Sequence, residues 1–328
     1  DVVLKHYTHS TEAYQLYLQG RFHYHKWTSE GFLKAINYFK AAIAIEPEYA
    51  IAFTGIASCY LNLWFFSHLP PEHTVPQMTQ AAENSLALDD TVAESHIAMA
   101  RLKMYYEWDL EGAAEEFKKA IALNPNMAEA YEQYGYCLAL SGNYPEALKY
   151  ADSAFTLDPF SLMNNNHIAL LYWMSGDYKK GIAQGKRLIE LDPNFYGGHY
   201  LLGLMYGDLK RYDEALKETE ICVSQNYSSF TLSLLGKIYA MMGENVKARE
   251  VLEKMEALRS SQSVGNFDVA VVYAGLREFD KTFQLLEKAL EEREGFMLYM
   301  KYYLPNYSEL EKDPRSKELA DKIVALIK

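Results

Sequence analysis

The sequence predicts an all-α chain: about eight antiparallel helical hairpins stacked side by side and closed by a last helix. Three observations carry this expectation. A small residue recurs at Gly20, Ala57, Ala100, Gly135, Ala169, Gly203, Gly236 and Ala270, and the last five lie 34, 34, 33 and 34 residues apart. Twelve residues after each of these five stands a second small or slender residue, at Ala147, Gly181, Ala215, Ala248 and Thr282. The early repeats then close on proline, as "IEP" to Pro47, "LNP" to Pro125, and "LDP" to Pro159 and again to Pro193. A fixed period of this length marks a repeat architecture. One hairpin cannot bury its apolar face alone, whereas a stack of them can.

Taken in order, each repeat justifies two helices. Apolar residues three and four apart define a helical face, and Gly-Asn, Gly-Asp or Gly-Glu breaks it after about fourteen residues. Small residues let neighbouring helices approach, and proline ends the second helix because it cannot continue the backbone ladder. A tyrosine follows the first small position at Tyr60, Tyr172, Tyr206, Tyr239 and Tyr273. The expected repeats run roughly over residues 11–49, 50–91, 92–126, 127–160, 161–194, 195–227, 228–261 and 262–295, with a cap over 296–328, all in a single domain 1–328. The first repeat carries about three extra residues around "WTSEG", and the second about nine, "SHLPPEHTVPQ". Pro70, Pro71 and Pro76 predict that this insertion is a stiff protruding loop, either a tolerated surface excursion or a docking finger. "YEWDLEGA" reads as another irregular joint, with Trp108 packed between neighbouring repeats. Asp313 and Pro314 read as the cap and first residue of the closing helix.

Composition narrows the function classes. The 328 residues are 49% hydrophobic and 23% charged, enough for a sizeable core, and the formal net charge of −12 disfavours nucleic acid as a partner, since phosphate neutralisation needs clustered Lys and Arg. No apolar run is long enough to span a bilayer, and "DVVLKHYTHS" has no apolar signal core. Asp1 therefore reads as a boundary inside a longer protein, and the expected compartment is the cytoplasm. Cys59, Cys137 and Cys222 are an odd, widely spaced set, expected to be reduced and buried.

A search for catalytic constellations gives none. His23 and His25, in "RFHYHKW", are two apart on an expected helix and point to different sides, a poor metal pair. No HExxH, GxSxG, GxxxxGK[ST] or GxGxxG occurs. Carboxylate runs such as "ALEERE" read as solvated helix faces. The expectation is a segment without catalytic, metal or cofactor sites.

The pattern of two small residues twelve apart, a tyrosine between them and a closing proline resembles the tetratricopeptide repeat. "EAYEQYGYCLALSGNYPEALKYADSAFTLDP", Glu129 to Pro159, carries the resemblance most fully, followed by "GHYLLGLMYGDLKRYDEALKETEIC", Gly198 to Cys222. The resemblance covers roughly residues 11 to 294 and implies a right-handed superhelical solenoid whose first helices line a concave groove. The groove residues it implies are Tyr14, Tyr17, Arg21 and Tyr24, then Arg101 and Tyr105, Glu132 and Tyr136, Asn166 and Trp173, Tyr200 and Lys237. Rings with a few charges can grip a peptide or a partner helix, and they can equally fill the space between helices. The Lys and Asn set with which some relatives clamp a peptide carboxylate is not recognisable here.

The first three repeats and the tail "FMLYMKYYLPNYSELEKDPRSKELADKIVAL" are also similar to the C-terminal tetratricopeptide region of multidomain bacterial regulators. There, such repeats follow a helix-turn-helix domain, a TolB-like segment, a class III cyclase or a kinase. This implies a sensing or oligomerising arm that binds a protein or peptide partner and can self-associate. A free-standing adaptor, and a module that takes a small molecule or glycan, stay open as alternatives.

Overall fold

The computed structural model describes residue 8 and residues 10–66, 68–303 and 308–327. The chain start, Ser67 of the proline-bearing insertion and residues 304–307 of the tail lie outside them. The chain divides into two compact units, Asp1–Asn126 and Met127–Lys328.

Three hairpins make the first unit: α1 (Thr11–Tyr24) with α2 (Ser29–Ile45), α3 (Ala50–Phe65) with α4 (Pro71–Leu88), and α5 (Ala93–Leu102) with α6 (Leu110–Leu123). Five make the second: α7 (Ala128–Leu140) with α8 (Tyr144–Leu157), α9 (Leu162–Met174) with α10 (Tyr178–Leu191), α11 (Tyr196–Asp208) with α12 (Tyr212–Gln225), α13 (Ser229–Met241) with α14 (Asn245–Leu258), and α15 (Asn266–Gly275) with α16 (Phe279–Glu291).

Within each unit the first helix of one hairpin packs beside the first helix of the next, so these helices form an inner row flanked on both sides. Their sequences say so. In α11 every residue from Tyr196 to Gly207 is buried, the pattern of a helix apolar all round. The second helices bury only a stripe, such as Ala215, Thr219 and Cys222 in α12 or Ala248, Val251 and Met255 in α14, and turn the rest to solvent. The small residues sit where the two rows meet. A Cβ on Gly203 would stand 2.4 Å from the Thr219 hydroxyl of α12, too close for any side chain.

The tight turns follow one rule. Gly142, Gly176 and Gly243 each take a left-handed φ, between 78 and 85°, immediately after a first helix. In the third and fifth hairpins of the second unit the same position is held by Lys210 and Arg277, at φ 60 and 64°, where a Cβ is strained.

The proline-bearing insertion departs from expectation. It is the start of a helix: Pro70 is the extended N-cap of α4, Pro71 its first residue, and Pro76 lies inside it. A preset φ favours proline at the first position, and the ladder bond that Pro76 cannot make is outweighed by burial of Met78, Ala81 and Ala82 against α3. At the other irregular joint the backbone widens to a π-helical turn, Lys103–Glu107. Trp108 follows in left-handed conformation, fully buried, its indole N–H donating to the Tyr105 carbonyl at 3.0 Å.

Beyond α16 come a 3-10 helix, Gly295–Tyr299, and three short or terminal helices, α17 (Met300–Tyr303), α18 (Ser308–Lys312) and α19 (Pro314–Leu326). Asp313 caps α19 by accepting from the Arg315 N–H. Arg315 pairs with Asp280 at 2.8 Å and lies over the Phe283 ring, so α19 closes the exposed side of α16. All three cysteines are buried thiols outside any disulfide, and burial pushes those of Cys59 and Cys222 up.

Candidate partner-binding surface

In the first unit the expected groove residues split between two roles. Tyr17 packs inward, its ring 5.7 Å from Phe39 and 5.6 Å from Tyr49, while Tyr14, Arg21 and Tyr24 are half-buried. Arg21 donates to the Tyr17 hydroxyl at 3.1 Å. Across the row, Arg101 of α5 donates to Ser58 Oγ at 3.2 Å and Asn62 Oδ1 at 3.3 Å on α3, and Asn62 donates to the Tyr24 hydroxyl of α1 at 3.2 Å. One buried guanidinium thus ties three first helices together. Tyr105 is buried edge-on to Phe65 at 5.2 Å. His23 stacks on Tyr38 and His25 meets the Arg21 guanidinium, two different surroundings on one helix.

The second unit repeats the device along its own row. Glu132 of α7 meets His167 Nδ1 of α9, and the His167 ring stacks on Tyr136 with centroids 5.0 Å apart. Asp208 of α11 takes the Trp173 indole N–H of α9 at 2.7 Å and the Lys237 ammonium of α13 at 3.0 Å, with both charged side chains fully buried. Ser229 of α13 donates to Asp268 of α15 at 2.6 Å. Burial pushes the Asp268 carboxyl up to about 7 and also raises that of nearby Glu294. Glu294 accepts from the Asn266 and Phe267 N–H groups at the start of α15, at 2.7 and 2.9 Å. Asn166 is half-buried.

Rings line the same row. Tyr200 and Phe230 are stacked at 4.2 Å, Phe230 and Phe296 at 4.9 Å, Phe296 and Tyr299 lie 5.8 Å apart, and Tyr299 stands 6.0 Å from Tyr136. Phe296 and Tyr299 belong to the 3-10 helix beyond α16. The next ring, Tyr302, lies 5.9 Å from Trp173, donates to the Ala139 carbonyl at 3.1 Å and accepts from the Tyr144 hydroxyl at 2.6 Å. Residues 295–303, all but the first of them expected to belong to the end cap, therefore lie across first helices from α15 back to α7.

Of the twelve residues implied by the resemblance, Tyr136 and Trp173 touch this segment directly. Tyr200 reaches it through Phe230, and Lys237 holds the Trp173 acceptor. Phe230, Phe267, Phe296, Tyr299, Tyr302, Asp208 and His167 were not anticipated. Two signals could have found them. Glu132–His167 and Trp173–Asp208 are each 35 residues apart, one repeat plus one, the step that joins adjacent first helices. The rings of "FMLYMKY" recur every third residue.

Residues 107–161 match a family model described as tetratricopeptide repeat. The chain is 23% identical over 219 residues to Hsp70-Hsp90 organizing protein 1 of Glycine max, a match covering 58% of this chain but only 38% of that protein's length. Among solved structures, yeast Tom70 matches with a TM-score of 0.53 at 19% identity, over 99% of this chain and 70% of that one. A tetratricopeptide repeat protein from Parabacteroides merdae matches with a TM-score of 0.53 at 15% identity, over 81% and 100%. These likenesses are of fold.

Proposed function

Taking the chain as a tetratricopeptide-repeat solenoid, we propose that it is a non-catalytic protein-interaction module whose rows of first helices hold a segment of a partner polypeptide. The observation that supports this most is internal: the row of the second unit already holds a polypeptide segment, residues 295–303, through ring contacts and hydrogen bonds to Tyr144 and the Ala139 carbonyl. The half-buried Tyr14, Arg21 and Tyr24 offer matching chemistry on the first unit. In this reading both units act as one domain and serve as the sensing or assembly arm of a larger cytoplasmic bacterial regulator, a role supported by the resemblance of the opening repeats and the tail. No helix among the described residues is long and apolar enough to cross a membrane.

The test is selection of bound segments from a displayed library of natural protein fragments. Full-length chain and two variants, Tyr14→Ala with Arg21→Ala, and Asn166→Ala, are compared. Enrichment by the wild type that either variant loses supports the proposal. No enrichment over an unrelated helical-repeat control overturns it.

A further inference from the structure

We infer that residues 295–303 are an internal ligand of the second unit's groove, and that the partner is a short helical segment with aromatic residues at every third position that binds by displacing it. This rests on the interaction role proposed above and specifies its ligand and control.

The geometry separates this segment from an ordinary end cap. The end of the stack is covered by α19, through Arg315 with Asp280 and Phe283. Residues 295–303 go elsewhere, across the row. A 3-10 helix has three residues per turn, so Phe296 and Tyr299 stand on one face, and Tyr302 extends the same three-residue spacing into α17. Each ring has its own seat. Phe296 lies against Phe230 and Phe267, Tyr299 against Tyr136, and Tyr302 against Trp173 with its hydroxyl between Tyr144 and the Ala139 carbonyl. Met297, Leu298 and Met300 are buried as well. These seats belong to helices α7, α8, α9, α13 and α15, contributed by four different hairpins, which is how a groove reads a ligand rather than how a hairpin packs on its neighbour.

The groove floor fits an uncharged occupant. Its ionisable groups each have a partner inside the row: Glu132 has His167 and Asp208 has Lys237, while Asp268 accepts from the Ser229 hydroxyl and Glu294 from the α15 amides. The rings of the segment are seated on other rings, on the Tyr144 hydroxyl and on the Ala139 carbonyl oxygen. A partner therefore needs aromatic-x-x-aromatic-x-x-aromatic with the positions between filled as the chain itself fills them, by Met297, Leu298 and Met300 with a single lysine, Lys301, before the last ring. Because Tyr302 sits at the far end from the Glu294 anchor, removing its seat opens the groove without loosening α15.

The experiment uses the whole chain and a labelled nonapeptide, GFMLYMKYY, copying Gly295–Tyr303, followed by fluorescence anisotropy. Apparent affinity is reduced by the fraction of molecules whose groove is open, so Phe296→Ala/Tyr299→Ala/Tyr302→Ala should bind the peptide at least about tenfold more tightly than the wild type. Should that variant fail to fold by circular dichroism, Tyr302→Phe decides: it keeps the ring, loses the hydroxyl bonds, and should gain about threefold or more. Equal affinity for wild type and folded variant, or no binding to the variant, overturns the inference and makes the segment a fixed strut. A wild-type dimer that the variant converts to monomer also overturns it, because the segment would then belong to a second copy. If library fragments bind with no such ring spacing and are insensitive to these variants, the interaction role stands and the internal ligand falls.

Discussion

Asp208→Ala is the most informative perturbation of the groove floor. It removes the carboxylate that holds the Lys237 ammonium at 3.0 Å and the Trp173 indole N–H at 2.7 Å, inside a site where both charged side chains are fully buried. Breaking a buried ion pair from one side costs about 3–5 kcal/mol, because the remaining charge has left water and lost its counter-charge. A chain segment the size of the second unit loses roughly 2–4 °C of melting temperature per kcal/mol, so the unfolding transition should fall by roughly 6–20 °C. Replacing the pair together, Asp208→Leu with Lys237→Met, removes both desolvation costs and should return stability to within about 2 kcal/mol of the wild type. Differential scanning calorimetry of the wild type, Asp208→Leu, Lys237→Met and their double variant completes the cycle, with Asp208→Ala measured beside them. A loss below about 1 kcal/mol for Asp208→Ala, or a double variant worse than the two single variants summed, would refute the idea that this pair joins α9, α11 and α13.

Other outcomes follow from the same geometry. The folded-state pKa of Asp268 is raised to about 7, so its contribution to stability is complete below the ordinary carboxylate pKa and is lost as pH rises through about 7. Asp268→Asn should therefore stabilise the second unit at pH 8 relative to the wild type and change little near pH 4.5, as read from urea midpoints across that range; a difference independent of pH contradicts it. Lys210→Gly relieves the left-handed φ of 60° and should stabilise by about 0.5–1 kcal/mol, net of the greater freedom glycine has when unfolded. No change, or destabilisation in chemical denaturation, would show that position to be unstrained. Trp108→Ala empties a fully buried site in the first unit and should cost about 3–5 kcal/mol by denaturant titration; a cost under 1 kcal/mol would mean the π-helical joint closes over the gap.

The hairpins were legible because their cause is local and periodic. Gly135, Ala169, Gly203, Gly236 and Ala270 mark close approaches of two helices, and each recurs at the repeat's own period. The helical fate of residues 71–77 was not legible, since Pro70, Pro71 and Pro76 lower local helix propensity while the burial of Met78 and Ala82 against α3 is a tertiary term. The residues implied for the inner row include many rings, yet the passage of residues 295–303 across it was not anticipated. Which rings fill a groove depends on where a non-repeating tail crosses it, and no period links Phe296 to Phe230 or Tyr302 to Trp173. Buried charges were misplaced for a related reason. Lys237 looked like a groove cation because its partner Asp208 lies one hairpin earlier, on another helix.

Hydrogen exchange of the amides of residues 295–303 tests the central claim most directly, because it requires no substitution. These amides should be protected in the free chain to a degree comparable with α16. Their protection should fall at least about tenfold when GFMLYMKYY is added to saturation, while α7 and α13 keep theirs. Unprotected exchange of 295–303 in the free chain, or protection unchanged with peptide bound, contradicts a groove held by the chain's own segment.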